Sequence, residues 1–123
     1  YFSEFFNADS GLVAALHVLA ALAEQDAPLS ELMSQFERYE ASGEINSEVS
    51  DQAAATQRVL DAFADRTAQL DRLDGVTVTL RDSKAWFNVR ASNTEPLLRL
   101  NVEAPTRAEV DELVREILGL IRA

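Results

Sequence analysis

Cysteine is absent from this sequence, which removes disulfide stapling, thiolate nucleophiles and thiolate metal sites together. Histidine occurs once, at position 17, inside an alanine-rich apolar stretch, so neither a His-based metal cluster nor a nucleophile–base pair can be assembled. Only four glycines are present, and no Gly-rich dinucleotide loop or Walker loop is found among them. Long hydrophobic runs are missing too. The longest, Gly11 to Ala23, is interrupted by His17 and falls short of a membrane span. The opening residues Tyr1-Phe2-Ser3-Glu4 lack the basic n-region of a signal peptide, and the absence of an initiating Met leads us to expect a piece of a larger protein.

Positive charge is scarce: 11 basic residues stand against 21 acidic ones, for a net charge of −10. A chain this acidic repels a nucleic-acid backbone unless its positives are gathered on one face. They are partly gathered, because Arg81, Lys84, Arg90, Arg99 and Arg107 fall within a segment whose only acids are Asp82, Glu95 and Glu103. A small anion site on a negative body suits that pattern better than a polyanion does. Glu40, Glu44 and Glu48 read as a solvated acidic face rather than as a carboxylate cluster. With 47% hydrophobic and 26% charged residues, the chain has enough apolar material for one modest core.

Asp9 and Ser10 can cap a helix over Gly11 to about Gln25, apolar on nearly every face and therefore expected to be covered on more than one side. Pro28 opens a second helix, with Leu29, Leu32, Met33 and Phe36 at helical spacing. Ser42-Gly43 breaks the pattern, and we place a domain boundary near residue 38. A strand over Glu44–Val49 follows, with Ile45 and Val49 on one face. A helix capped by Ser50 then runs to about Leu70 on the stripe Ala53-Thr56-Leu60-Phe63-Thr67-Leu70. Past the Asp74-Gly75 turn, three segments alternate strictly: Val76–Arg81, Trp86–Arg90 and Leu97–Glu103. Thr106 and Glu109 form a capping box for the last helix, which presents Val110, Leu113, Val114, Ile117, Leu118 and Ile121 to the sheet. The fold class is thus α+β: a two-layer domain with a mainly antiparallel four-stranded sheet open on one face, preceded by helices of an adjoining domain.

One segment carries potential chemistry. Arg90 ends a strand and can offer a bidentate guanidinium to an oxyanion. Ser92 and Thr94 supply hydroxyl donors and Asn93 an amide, while small polar residues can turn backbone N–H groups inward as an anion nest. Pro96 keeps Glu95 out of helical geometry. The same residues also suit an ordinary turn between strands, and physical chemistry alone favours that plainer reading.

The run Arg90-Ala91-Ser92-Asn93-Thr94-Glu95-Pro96, continued by Leu97–Ala104, resembles the phosphate-binding loop and following strand of the fourth domain in the α-D-phosphohexomutase superfamily. Ser42-Gly43-Glu44-Ile45-Asn46, Asp74-Gly75-Val76 and Trp86-Phe87-Asn88-Val89 resemble other strands of that domain. Tyr1–Gly11 is similar to the segment after the family's sugar-recognition loop. The resemblance spans the chain in order and reverses the preference at the loop. Ser92-Asn93-Thr94, where other branches carry Ser-Gly-Thr, resembles the phosphomannomutase/phosphoglucomutase branch.

The resemblance implies a TATA-box-binding-protein-like sheet domain at residues 39–123, behind a helical remnant of a sugar-binding domain at 1–38. It implies a cytoplasmic parent enzyme that interconverts hexose 1- and 6-phosphates of mannose or glucose through a bisphosphorylated intermediate. Arg90, Ser92, Asn93 and Thr94 would hold the phosphate that is not reacting. Arg99, one strand on and outside the matched loop, is expected to contribute little. The phosphoserine loop, the Mg²⁺ aspartates and the sugar-recognition loop lie elsewhere in the parent, so the expected partners are hexose phosphate and the remaining domains, with neither nucleic acid nor membrane. No catalytic and no metal-binding residue is expected here. A non-catalytic anion-binding regulatory module and a structural interaction domain are the alternatives.

Overall fold

A computed structural model describes all 123 residues, which cluster into two compact units, Tyr1–Arg38 and Tyr39–Ala123. In the first unit, α1 spans Gly11–Ala23 and α2 spans Leu29–Ser34. Ser10, rather than Asp9, is the α1 cap, its hydroxyl accepting from the Val13 amide at 3.3 Å. Pro28 occupies the cap position of α2, and the helix ends before Phe36. No residue of α1 is buried, and Leu12 is 73% exposed. His17 stacks on Phe2 with ring centroids 5.5 Å apart, a packing role.

The second unit contains β1 (Glu40–Ala41), β2 (Ile45–Glu48), α3 (Gln52–Phe63), β3 (Thr67–Asp71), β4 (Val76–Leu80), β5 (Trp86–Ala91), β6 (Leu97–Ala104) and α4 (Arg107–Ile121). Every strand pairing is antiparallel, in the order β1-β6-β5-β4-β3, with β2 also on β6. The α+β architecture with an antiparallel sheet is the expected one, extended by two strands that the sequence pattern does not disclose.

The first of these, β1, is continuous in function with β2. Both lie on the outer edge of β6, separated by a bend where Gly43 takes φ +66°. Ser42 keeps the ladder intact across the bend. Its amide donates to the Val102 carbonyl and its hydroxyl accepts from the Val102 amide, each at 2.9 Å. The second, β3, comes out of the segment expected to be helix. Asp51 is the actual cap of α3, accepting from the Ala54 amide at 2.9 Å, and the helix stops at Phe63. Thr67 Oγ1 donates to the Phe63 carbonyl at 2.8 Å, satisfying one of the groups that a helix end leaves orphaned. A short 3₁₀ turn over Ala64–Arg66 then delivers Thr67–Asp71 to the free edge of β4. Thr67 and Leu70 happen to continue the helical spacing on paper, but the unpaired edge of β4 offers a full ladder, and that tertiary term overrides the local pattern. The buried α3 positions are Ala55, Val59 and Phe63, not Ala53, Thr56 and Leu60.

Both long helices cover one sheet face. Ala55, Val59 and Phe63 from α3 and Val110, Leu113, Ile117 and Ile121 from α4 pack against Val78, Phe87, Val89, Leu98, Leu100 and Val102. Phe63 meets Phe87 edge-on at 4.9 Å. The capping box is half formed: Thr106 Oγ1 accepts from the Glu109 amide at 3.3 Å, while the Glu109 carboxylate turns away to accept from the Ser83 hydroxyl. The only buried polar residue, Ser47, accepts from Arg122 Nε at 3.2 Å. Since every buried residue belongs to this unit, residues 39–123 expressed without the first 38 are expected to melt cooperatively. Calorimetry decides it, and a molten, non-cooperative product would show that the first helices are needed.

Candidate functional site

The sheet face away from α3 and α4 carries Thr77, Thr79, Trp86, Asn88, Arg90, Arg99, Asn101 and Glu103, the alternate positions of β4, β5 and β6, all half-buried. At the end of this face, where β5 runs into the loop Ser92–Pro96, lies a cleft of about 430 Å³. Arg90, Ser92, Asn93 and Thr94 all line it, together with Asp74, Gly75, Ala91 and Arg99. The four residues singled out from the sequence are therefore brought to one place.

Arg99, expected to stand apart, is part of the same place. The β5–β6 register puts Arg90 directly opposite Arg99. Like charges facing each other across two strands repel, and two carboxylates offset this. Asp74 Oδ2 is 3.0 Å from Arg90 Nη1, and Glu44 lies between the guanidinium groups, 3.8 Å from Arg90 Nη2 and 3.9 Å from Arg99 Nε. At these longer distances Glu44 makes no hydrogen bond to either arginine. The Arg99 Nε atom is buried without an acceptor. Sequence reasoning could have found Arg99 from the hairpin itself: once Ala91 and Leu98 are paired across the loop, the next pair outward is Arg90 with Arg99.

Other residues hold this arrangement in place. Asn88 Nδ2 donates to the Asp74 carbonyl and to Thr77 Oγ1, each at 2.9 Å, pinning the turn that carries Asp74 beside Arg90. Gly75 passes over β5 at φ +71°, so closely that a Cβ there would lie 2.6 Å from the Val89 carbonyl oxygen and 2.9 Å from Arg90 Cβ. Within the loop, the Ser92 amide donates to the Leu97 carbonyl at 2.9 Å, and the Thr94 amide points at Ser92 Oγ from 3.4 Å. No group of three or more His, Asp or Glu side chains is placed to hold a metal ion. No helix is long and apolar enough to cross a membrane.

Two opposed guanidinium groups, hydroxyl donors and a short polar loop thus lie together on the open face of the antiparallel sheet of an α+β domain. Residues 44–120 match the family described as phosphoglucomutase/phosphomannomutase, C-terminal domain, and residues 1–39 match phosphoglucomutase/phosphomannomutase, alpha/beta/alpha domain III. The chain belongs to the phosphoglucomutase/phosphomannomutase family, with matches to its domain III and to its C-terminal domain.

Among curated relatives it is 42% identical over 121 residues to a phosphomannomutase of Methanocaldococcus jannaschii, covering 98% of this chain and 26% of that protein. It is 40% identical over 125 residues to the phosphohexose mutases of Xanthomonas campestris pv. campestris, covering 99% and 27%. A crystal structure of a phosphoglucomutase/phosphomannomutase family protein from Burkholderia thailandensis shares the fold, with a TM-score of 0.63 at 22% identity, over 93% of this chain and 24% of that one. The chain thus spans about a quarter of the length of the relatives it matches.

Proposed function

We propose that residues 39–123 form the substrate-phosphate-binding domain of a phosphomannomutase/phosphoglucomutase, with residues 1–38 the helical end of its sugar-binding domain. The observation that carries this reading is the convergence of Arg90, Ser92, Asn93, Thr94 and Arg99 on one cleft. A phosphate dianion entering there exchanges the Asp74 and Glu44 carboxylates for its own oxygens as partners of the two arginines. The arginines fix its orientation, because a guanidinium offers parallel N–H donors in a rigid plane. The hydroxyls of Ser92 and Thr94 and the amide of Asn93 complete the donor set around the remaining oxygens.

In the parent enzyme this grip holds the phosphate that is not being transferred, while the other end of the hexose meets the reacting groups of another domain. Holding the far end orders the near end, which is how binding energy remote from the chemistry lowers a barrier. The Mg²⁺ implied for the parent finds no ligand set among these residues, and no step here runs through it. The parent acts on mannose or glucose phosphates in the cytoplasm on this reading, and the 42% identity to a phosphomannomutase supports a hexose phosphate as the substrate class.

Two measurements test the proposal. Titrating the chain with mannose 1-phosphate should shift the amide resonances of Arg90–Thr94 selectively, and a spectrum indifferent to hexose phosphate would favour a structural role instead. The chain should also leave mannose 1-phosphate unconverted in the presence of Mg²⁺, because gripping one end of a substrate gives no path to a transition state. Following the anomeric phosphorus signal checks this, and turnover above the uncatalysed rate would overturn it.

A further inference from the structure

The loop Ser92–Pro96 is held from beneath by one side chain that belongs to a different element. Gln52, the first residue of α3, directs its carboxamide nitrogen at three carbonyls, two in the loop and one at the start of β6: Glu95 at 3.1 Å, Ser92 at 3.4 Å and Leu97 at 3.0 Å. Asp51 caps α3 immediately before it and fixes where the helix begins, so the Gln52 side chain leaves a rigid element rather than a flexible turn. The loop's other outside tether is the Val49 amide, which donates to the Pro96 carbonyl at 3.0 Å. Inside the loop, the Leu97 amide closes a tight turn on the Glu95 carbonyl at 2.8 Å. The amides of Asn93 and Glu95 have no acceptor within the chain.

We propose that Gln52 is a positioning residue for the anion site: by collecting three carbonyl oxygens on the helix side, it keeps their negative ends out of the cleft and leaves the loop's donors free for phosphate. This rests on the phosphate-binding reading above and adds to it a residue 40 positions from the loop. The interaction uses only the donor half of the carboxamide. Two N–H bonds are shared among three acceptors, so a side chain with three donors and no acceptor would serve at least as well. Lysine is such a side chain. Methionine has nearly the same length and no donor at all.

The test is a titration of the 123-residue chain with inorganic phosphate, followed by amide chemical shifts, on wild type, Gln52→Met and Gln52→Lys, with melting temperatures alongside. Gln52→Met should weaken phosphate binding about 3- to 10-fold, the size expected from losing a shared neutral hydrogen bond. Gln52→Lys should bind within about 2-fold of wild type, since ammonium–carbonyl bonds are at least as strong as those they replace. The rescue distinguishes positioning from bulk stability, because side-chain packing alone would treat methionine as the better substitute. Backbone relaxation of Ser92–Glu95 in the unliganded Met variant should show added mobility, a readout that stands whether or not affinity changes greatly. If Gln52→Met binds phosphate as tightly as wild type, or if Gln52→Lys is as weak as Gln52→Met, the clamp is wrong and the phosphate reading survives. If wild type itself ignores phosphate while folded, it is the phosphate reading that falls, and the clamp with it.

Discussion

Replacing Gly75 with alanine should lower the melting temperature of the chain by roughly 8–24 °C and displace Arg90. Two costs combine. A non-glycine residue at φ +71° is strained, and the added Cβ would sit 2.6 Å from the Val89 carbonyl oxygen and 2.9 Å from the Arg90 Cα, which are backbone atoms of the neighbouring strand and cannot swing aside. Strain of about 1–3 kcal/mol and overpacking of about 1–3 kcal/mol together come to about 2–6 kcal/mol, and a chain of this size loses about 4 °C per kcal/mol. Gly43→Ala is the control, because Gly43 has a similar φ of +66° with nothing within 4 Å of its Cβ position. That variant should show the strain alone, a fall of about 4–12 °C. Equal melting temperatures for the two variants would mean that β5 yields easily to the added methyl. With Arg90 pushed out of register against Asp74, Gly75→Ala should also bind phosphate less well than its loss of stability explains.

Arg90→Lys should reduce phosphate affinity about 10- to 100-fold although the formal charge is unchanged. Lysine brings a point charge on a flexible stem, and the loss of one charge-assisted hydrogen bond in fixed geometry costs about 1.5–3 kcal/mol. In the parent enzyme the deficit should fall on KM if the grip is equal in ground and transition states. It should extend into kcat if orientation of the far end positions the reacting end. Arg99→Lys, which the motif alone marks as nearly silent, should also weaken binding, by about 3- to 10-fold, because the structure sets Arg99 opposite Arg90 with its Nε lacking an acceptor. Titration of both variants at matched ionic strength, with melting temperatures, checks this. A normally folded Arg90→Lys variant with wild-type affinity would return the segment to an ordinary turn between strands.

The legibility of the site in the sequence was uneven for physical reasons. Arg90, Ser92, Asn93 and Thr94 are contiguous and carry a recognisable pattern, so they could be named without coordinates. Arg99 and Asp74 are separated from them in sequence but adjacent across strand pairings, and Gln52 reaches the loop from another layer. Each of these depends on register or on helix placement, which a local pattern does not carry. Gly75 was legible as a turn, but not as the point where backbone passes within van der Waals distance of the Arg90 strand.

The strands β4, β5 and β6, the open polar face between them and the amphipathic α4 were determined by the sequence itself. Strict alternation of apolar and polar residues admits one buried face whatever the strands pair with. Where α3 ends was decided only by tertiary structure. Thr67 and Leu70 satisfy a helical stripe as well as they do a strand, and the free edge of β4 settled the matter by offering ladder partners to Thr67–Asp71. The same holds for β1, two residues long, which exists because β6 extends past β2 and leaves Glu103 and Ala104 to be paired. Local chemistry sets which faces are apolar. Unpaired backbone groups elsewhere in the fold decide which ambiguous segments are drawn into the sheet.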